Sequence, residues 1–254
     1  MGMTIAVAGK GGVGKTTLAG WAVKYLISTG LSPILAVDAD SNSNLNEVLG
    51  LEVEATLGDA REEMKKGGLP GMTKDVLIEM RANEALVETD DYDLIVMGRP
   101  EGSGCYCAAN SVLAMVIEKL VGNYPYLVID NEAGMEHISR LTTKHMDIFY
   151  VVSDASRRGL TTAKRIWSLV DEMKISVGVK YLILNQVKGE VAPELIAEIE
   201  KEGLNLAGII PEDDEIYSYD QSGRPTSELK IDNQAVSAAY EIFKKTINQV
   251  KETV

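Results

Sequence analysis

The stretch TIAVAGKGGVGKTT, Thr4 to Thr17, restricts the fold of this chain more than any other segment. A short apolar strand runs into Gly9, Lys10, Gly11, Gly12, Val13, Gly14, Lys15, Thr16 and Thr17, which satisfies G-x-x-x-x-G-K-[ST]. Such a loop must hang from a sheet edge and open onto a helix N-terminus, where free N–H groups and the helix dipole favour anions. Gly11, Gly12 and Gly14 let the backbone turn tightly, so that successive N–H groups converge on phosphate oxygens. Lys15 is expected to span the β- and γ-phosphates of ATP, Thr16 to place its hydroxyl on Mg²⁺ and Thr17 to reach the α-phosphate. A glycine turn without a ligand is the competing reading, and the complete string argues against it.

The rest of the chain repeats the same grammar. Apolar runs at Thr4–Ala8, Pro33–Val37, Leu94–Met97, Tyr126–Ile129, Ile148–Val152, Tyr181–Leu184 and Leu206–Ile210 read as strands buried on both faces. Helical patterns lie between them, at 15–29, 57–66, 73–88, 108–121, 157–173, 192–203 and 232–252. Alternation of this kind implies right-handed crossovers. The expected architecture is α/β, a doubly wound, mostly parallel sheet flanked by helices on both faces. No repeat and no Gly-, Pro- or Ser-rich linker divides residues 1–254, so one P-loop domain is expected. Residues 50–90 are the most polar part.

Composition narrows the partners. The formal net charge of −13 argues against nucleic acid and anionic lipid, both of which need a basic surface. RRGLTTAKRI, with Arg157, Arg158, Lys164 and Arg165, is the local exception, and a solvated helix face is its expected role. No run of about 18 apolar residues suggests a membrane span. The N-terminus lacks a basic region followed by a long apolar stretch, and Met1-Gly2 runs straight into a strand, so neither secretion nor myristoylation is expected. Two cysteines in 254 residues do not make a disulfide framework, and a cytoplasmic location follows.

Carboxylates stand where a phosphate loop needs them. The second strand ends in VDADSNSN, which places Asp38 and Asp40 at the C-terminal edge of the sheet. Asp38 is expected in the outer Mg²⁺ shell and Asp40 on the attacking water. The competing reading is that Asp38, Ser41 or Ser43 caps the helix starting near Leu45. The run YLVID ends at Asp130, a second expected ligand of the Mg²⁺ shell, followed by NEAG. Gly134 is expected to offer its N–H to the γ-phosphate, making 130–137 a switch loop. Guanine readers carry N-K-x-D at the strand corresponding to Asn185-Gln186-Val187-Lys188. Lysine accepts no hydrogen bond, so adenine is the better fit, with Asn185, Pro211 and Glu212 around the ring.

Taken together, AGKGGVGKTT (8–17), VDADSNSNL (37–45), GSGCYCAAN (102–110), VIDNEAGMEH (128–137) and ASRRGLTTAKRI (155–166) resemble the deviant Walker A ATPases. That group includes the septum-site and plasmid-partition proteins and the nitrogenase iron protein. Within it, CYC and EAGMEH are similar to the branch that matures nickel enzymes of the CO dehydrogenase / acetyl-CoA synthase system. The resemblance implies a homodimer formed on ATP or metal binding, with Lys10 reaching the partner's nucleotide. It also implies Ni²⁺ held by Cys105 and Cys107, and insertion of that metal into a client enzyme.

The residues agree with this independently. Two thiolates one residue apart supply half of a four-ligand site, and a twofold axis supplies the other half. A tetrathiolate suits Zn²⁺, and Ni²⁺ in planar or tetrahedral form. Gly102 and Gly104 would place the pair on a loop suited to transfer. His137 and His145 are alternative ligands, with switch packing and a helix surface as their expected places. Two ordinary buried cysteines are the bland alternative. Three other functions compete. An iron–sulfur-bridged electron-transfer dimer is permitted by four cysteines per dimer, although the nitrogenase iron protein draws its two from separated positions. A membrane- or DNA-positioning ATPase would need a basic C-terminal helix, whereas QAVSAAYEIFKKTINQVKETV has few basic residues. A thiol switch leaves the phosphate loop unexplained.

Overall fold

A computed structural model of the chain describes residues 2–59, 73–98, 114–132 and 145–253. The apolar runs form one eight-stranded sheet. Its strands are β1 (Met3–Gly9), β2 (Ile34–Ala39), β3 (Leu86–Glu88), β4 (Tyr92–Val96), β5 (Tyr126–Asn131), β6 (His145–Ser153), β7 (Ser176–Val187) and β8 (Leu206–Pro211). Their order across the sheet is β3-β4-β2-β5-β1-β6-β7-β8. All neighbours are parallel except the edge pair β3 and β4. Chain direction therefore brings the C-terminal ends of β1, β2 and β5 to one edge, and β1 sits at the centre of the sheet.

The helices are α1 (Lys15–Ser28), α2 (Leu45–Leu49), α3 (Lys74–Ala85), α4 (Arg157–Glu172), α5 (Pro193–Lys201), α6 (Asp214–Gln221) and α7 (Gln234–Thr253). Residues 114–120 are helical as well. One core lies on each face of the sheet. On one face α1, α2 and α7 cover Val7, Ala36, Tyr150 and Ile183. On the other, α3, residues 114–120, α4 and α5 cover Ala8, Val37, Phe149 and Leu184. Neighbouring residues of one strand point to opposite cores, as the period of two demands, and both sides being apolar explains the unbroken runs.

Several boundaries differ from the sequence reading. The helix expected over 73–88 stops at Ala85, because Leu86, Val87 and Glu88 leave it to pair antiparallel with Ile95, Leu94 and Asp93. β7 is twelve residues long where only Tyr181–Leu184 stood out. Its outer part alternates exposed and half-buried residues and so lacks the unbroken apolar signal. α6 was not expected at all: none of its residues is buried, so no apolar stripe announces it. His145 opens a strand instead of lying on a helix surface, and its ring meets Ser176 Oγ at 2.7 Å.

Candidate nucleotide site

The phosphate loop forms where β1 ends. Gly9 is in register with Val152 of β6, and a Cβ at Gly9 would strike the Val152 carbonyl oxygen. Gly12 and Gly14 hold φ of 81° and 83°, the left-handed region that only glycine enters cheaply. Gly14 is also the residue that caps α1, so no side chain caps the helix and no acid occupies its first turn. The first N–H groups of α1 are thus left for an external anion. Lys15 is buried, and its ammonium lies 3.5 Å from the Lys10 carbonyl oxygen, folded back over the loop. Lys10 itself is exposed, and Val13 is buried beneath the loop.

Asp38 and Asp130 lie opposite each other on adjacent strands, paired in register between β2 and β5. Both are buried. The oxygens of Asp38 accept from Asp40 N at 3.0 Å and Leu45 N at 2.9 Å. Asp38 therefore organises the start of α2, where the formal capping residue Asn44 makes no side-chain cap. The capping alternative weighed from sequence is thus present, and it occupies both carboxyl oxygens without removing them from the site. Asp40 accepts from Asn42 N at 2.8 Å, which tightens the loop after β2. Burial pushes the Asp38 carboxyl up to about 6, with its backbone hydrogen bonds pulling the other way.

Asp130 is in a different condition. Neither of its carboxyl oxygens finds a hydrogen-bond partner in good geometry. Burial, and then the neighbouring Asp38, raise it to about 7, while the nearby Thr16 hydroxyl and Lys15 ammonium partly offset this. An orphaned carboxylate among acids, beside a hydroxyl and under a phosphate loop, has the donor chemistry that a hard divalent cation needs. Thr16 and Asp130 offer oxygen donors of the kind Mg²⁺ takes, and Asp38 stands in register beside Asp130.

Asn131 and the Ser41–Glu132 pair tie the site together without any signal in the sequence, and Asn185, expected at the base, does so by a contact that was not expected. Asn131 donates Nδ2 to the Val7 carbonyl at 3.0 Å, fixing β5 to β1 just behind the loop. Ser41 donates to Glu132 Oε1 at 3.1 Å, joining the segment after β2 to the segment after β5. Asn185 donates Nδ2 to the Val13 carbonyl at 2.8 Å. A Cβ on Gly14 would collide with that same amide, so Asn185 also fixes why position 14 must be glycine. The end of β8 lies alongside: Glu212 N donates to Val187 O at 3.0 Å, and the Glu212 carboxylate pairs with Lys188 at 3.0 Å. Lys188, unable to read guanine, thus serves as the counter-ion of Glu212. Pro211 pairs with Val187 across β7 and β8. Cys105, Cys107, Gly134 and His137 lie outside the described residues.

Residues 4–226 match the model of the CobQ/CobB/MinD/ParA nucleotide binding domain. The chain belongs to this family. It is 49% identical to an uncharacterised ATP-binding protein of Methanocaldococcus jannaschii, over 97% of this chain and 99% of that one. It is 30% identical to the carbon monoxide dehydrogenase accessory protein CooC of Rhodospirillum rubrum, over 87% of this chain and 88% of that one. Among solved structures, the septum site-determining protein MinD of Pyrococcus horikoshii, complexed with Mg-ADP, superposes with a TM-score of 0.72. That match covers 100% of both chains at 22% identity, and so speaks for the fold. As a family member with this site, the chain is an ATPase with an eight-stranded P-loop architecture.

Proposed function

We propose that this ATPase is a maturation factor: a homodimer that ATP closes and hydrolysis opens, carrying nickel between its two halves to a nickel enzyme of the CO dehydrogenase / acetyl-CoA synthase kind. The nucleotide half of this reading is carried by the buried pair Asp38 and Asp130, aligned beside Lys15 and Thr16. Two acids at that depth cost free energy until a cation joins them. Mg²⁺, once bound there, neutralises charge developing on the transferred phosphoryl group.

The chain's own residues do the rest. Lys15 swings from the Lys10 carbonyl onto the β- and γ-phosphates, while Gly11 to Thr17 surround them with N–H groups and the Thr17 hydroxyl. Asp40 orients the attacking water. Asn185, Pro211 and Glu212 border adenine, Asn185 doing so from a position already fixed against the loop. Lys10, exposed on that loop, is free to meet the partner's nucleotide in the manner of the deviant Walker A group. Residues 1–254 act as one domain.

The cargo half rests on Cys105 and Cys107, the only cysteines of the chain, and on its similarity to an accessory protein of carbon monoxide dehydrogenase. A metal shared by two such pairs gains four soft ligands only when the dimer closes. The Ser41–Glu132 bond joins the segments after β2 and β5, so the loops that meet the nucleotide are tied to each other. No described helix is long and apolar enough to cross a membrane. Nucleic acid is disfavoured by the net charge of −13. The setting that fits is the cytoplasm.

The test is elemental analysis and sizing of the wild type and of Cys105→Ala/Cys107→Ala, with and without ATP. About one nickel or zinc ion per two chains is expected, lost in the double variant together with metal-induced association. Unchanged metal content in the double variant would remove the cargo reading and leave the ATPase.

A further inference from the structure

The segment Arg157 to Arg165, expected from sequence to be a solvated helix face, has a more particular structure. Arg157, Arg158 and Arg165 line a surface depression of about 290 Å³ together with Thr161 and Thr162. All three arginines are exposed. The opposite side of α4 is spent in the core through Leu160, Ala163, Ile166 and Val170, so this face is the only one the helix can offer outward. Neither threonine is available as a donor: Thr161 and Thr162 give their hydroxyl protons back to the Arg157 and Arg158 carbonyls, at 2.8 and 3.1 Å. Recognition on this face therefore falls to the three guanidinium forks.

Those forks are unpaired in a protein with 38 acidic and 25 basic side chains. Some neighbouring lysines do find acids. Lys164, on the same helix, is held by Glu198 and by Glu202 at 2.7 Å. Lys180 is held by Asp171 at 2.6 Å, and Lys188 by Glu212. Among the described residues no carboxylate meets Arg157, Arg158 or Arg165. The spacing sets the size of a ligand. Arg158 and Arg165, seven residues apart, lie almost in line and about 10 Å apart along the helix axis. One carboxylate or phosphate cannot bridge that span. A chain bearing several carboxylates can, each taken by a planar fork in two-pronged fashion.

We propose that this face of α4 docks an acidic segment of a partner protein, with two or more carboxylates spread over about 10 Å. Nucleic acid fits less well. Three arginines would neutralise about three phosphates, fewer than stable nonspecific DNA binding uses, and the surrounding charge of −13 repels the remainder. The site is independent of the metal. It stands beside the nucleotide edge, since α4 begins four residues after β6 ends, and β6 pairs with β1 up to the phosphate loop. A partner seated there lies next to the ATPase centre without entering it.

The experiment is fluorescence anisotropy of the full-length protein with a labelled peptide of alternating glutamate and glycine, at 50 and 300 mM NaCl. Three variants accompany the wild type: Arg157→Ala/Arg158→Ala/Arg165→Ala, the same three changed to lysine, and Lys244→Ala/Lys245→Ala as a control of equal charge loss per site. Circular dichroism and ATPase rate verify that each is folded. The wild type and the α7 control should bind in a salt-sensitive way. The alanine variant should bind at least about tenfold more weakly, and the lysine variant should fall between, because charge survives but the fork does not. Equal binding by the wild type and the alanine variant overturns the proposal. So does tighter binding of a DNA duplex than of the peptide. Self-association that is lost in the alanine variant, without peptide binding by the wild type, also overturns it, since a second copy would then be the occupant.

Discussion

At the scale of single residues, the site is held in tension by Asp130. Its carboxylate is buried and faced by Asp38, with only the Thr16 hydroxyl and the Lys15 ammonium to offset them, so without a cation it keeps its proton to higher pH than an ordinary carboxyl does. The sign follows from the direction of both shifts. Asp38 and Asp130 are raised in the folded state, to about 6 and about 7. Their contribution to stability is therefore complete only below the ordinary carboxyl value of 3.8 and is lost progressively as pH rises from there through the folded values. In EDTA and without nucleotide, Asp130→Asn removes a group that must ionise inside the fold. The variant should melt higher than the wild type at pH 8 and by a smaller margin at pH 5, while its Mg²⁺-dependent ATPase activity falls by at least about tenfold. A scanning calorimeter and a phosphate-release assay check both parts. An equal difference in melting temperature at the two pH values would show that Asp130 already ionises without cost.

At the scale of elements, the aromatic cluster joins the helices to the sheet. Phe243 of α7 is fully buried, with ring centroids 5.7 Å from Tyr25 of α1 and 5.8 Å from Tyr150 of β6. The Tyr150 hydroxyl bonds Thr246, one turn further along α7, at 2.5 Å. Phe243→Ala should therefore cost about 3–5 kcal/mol of unfolding free energy, read from urea titration, while leaving KM for ATP unchanged. A loss below about 1 kcal/mol would mean that α7 is not clamped by this ring. The legibility of the chain follows the same physics. β1, β2 and β5 could be read from sequence because burial on both faces leaves an unbroken apolar run, and the loop after β1 because its glycines and lysine have fixed offsets. β3 and the outer half of β7 could not, since a sheet edge and a half-exposed strand carry no such run. α6 buries nothing, so no periodicity marks it. That Asp38 and Asp130, at two strand ends, would lie near Lys15 and Thr16, at a helix start, could be read from the sequence pattern. The contacts of Asn131, Glu132 and Asn185 were not: each side chain meets a residue more than 90 positions away, and sequence spacing is silent at that range.

At the scale of the whole molecule, the proposed function makes a thermodynamic demand that the single chain does not. If ATP and nickel both favour the closed dimer, each must tighten the other, and because the free energy of filling every site is independent of order, the factor for the one nickel ion equals the product of the factors for the two nucleotides. Coupling through a dimer equilibrium typically lies between about 5- and 150-fold. Nickel affinity, measured by competition with a chromogenic chelator, should rise by about tenfold when a non-hydrolysable ATP analogue is present. Analogue affinity per site, measured by calorimetry, should rise by about threefold when nickel is added, the square root of that factor for two nucleotides. Cys105→Ala/Cys107→Ala should abolish the second effect while leaving nucleotide affinity in the absence of nickel intact, because neither cysteine has a part in the phosphate loop. Lys10→Ala should weaken the coupling in both directions if that exposed lysine meets the partner's nucleotide. Nickel affinity that is indifferent to the analogue would separate the two activities and leave the cysteine pair without a link to the ATPase. Departure from that relation would mean that one nickel ion to two nucleotides is not the stoichiometry of the closed dimer.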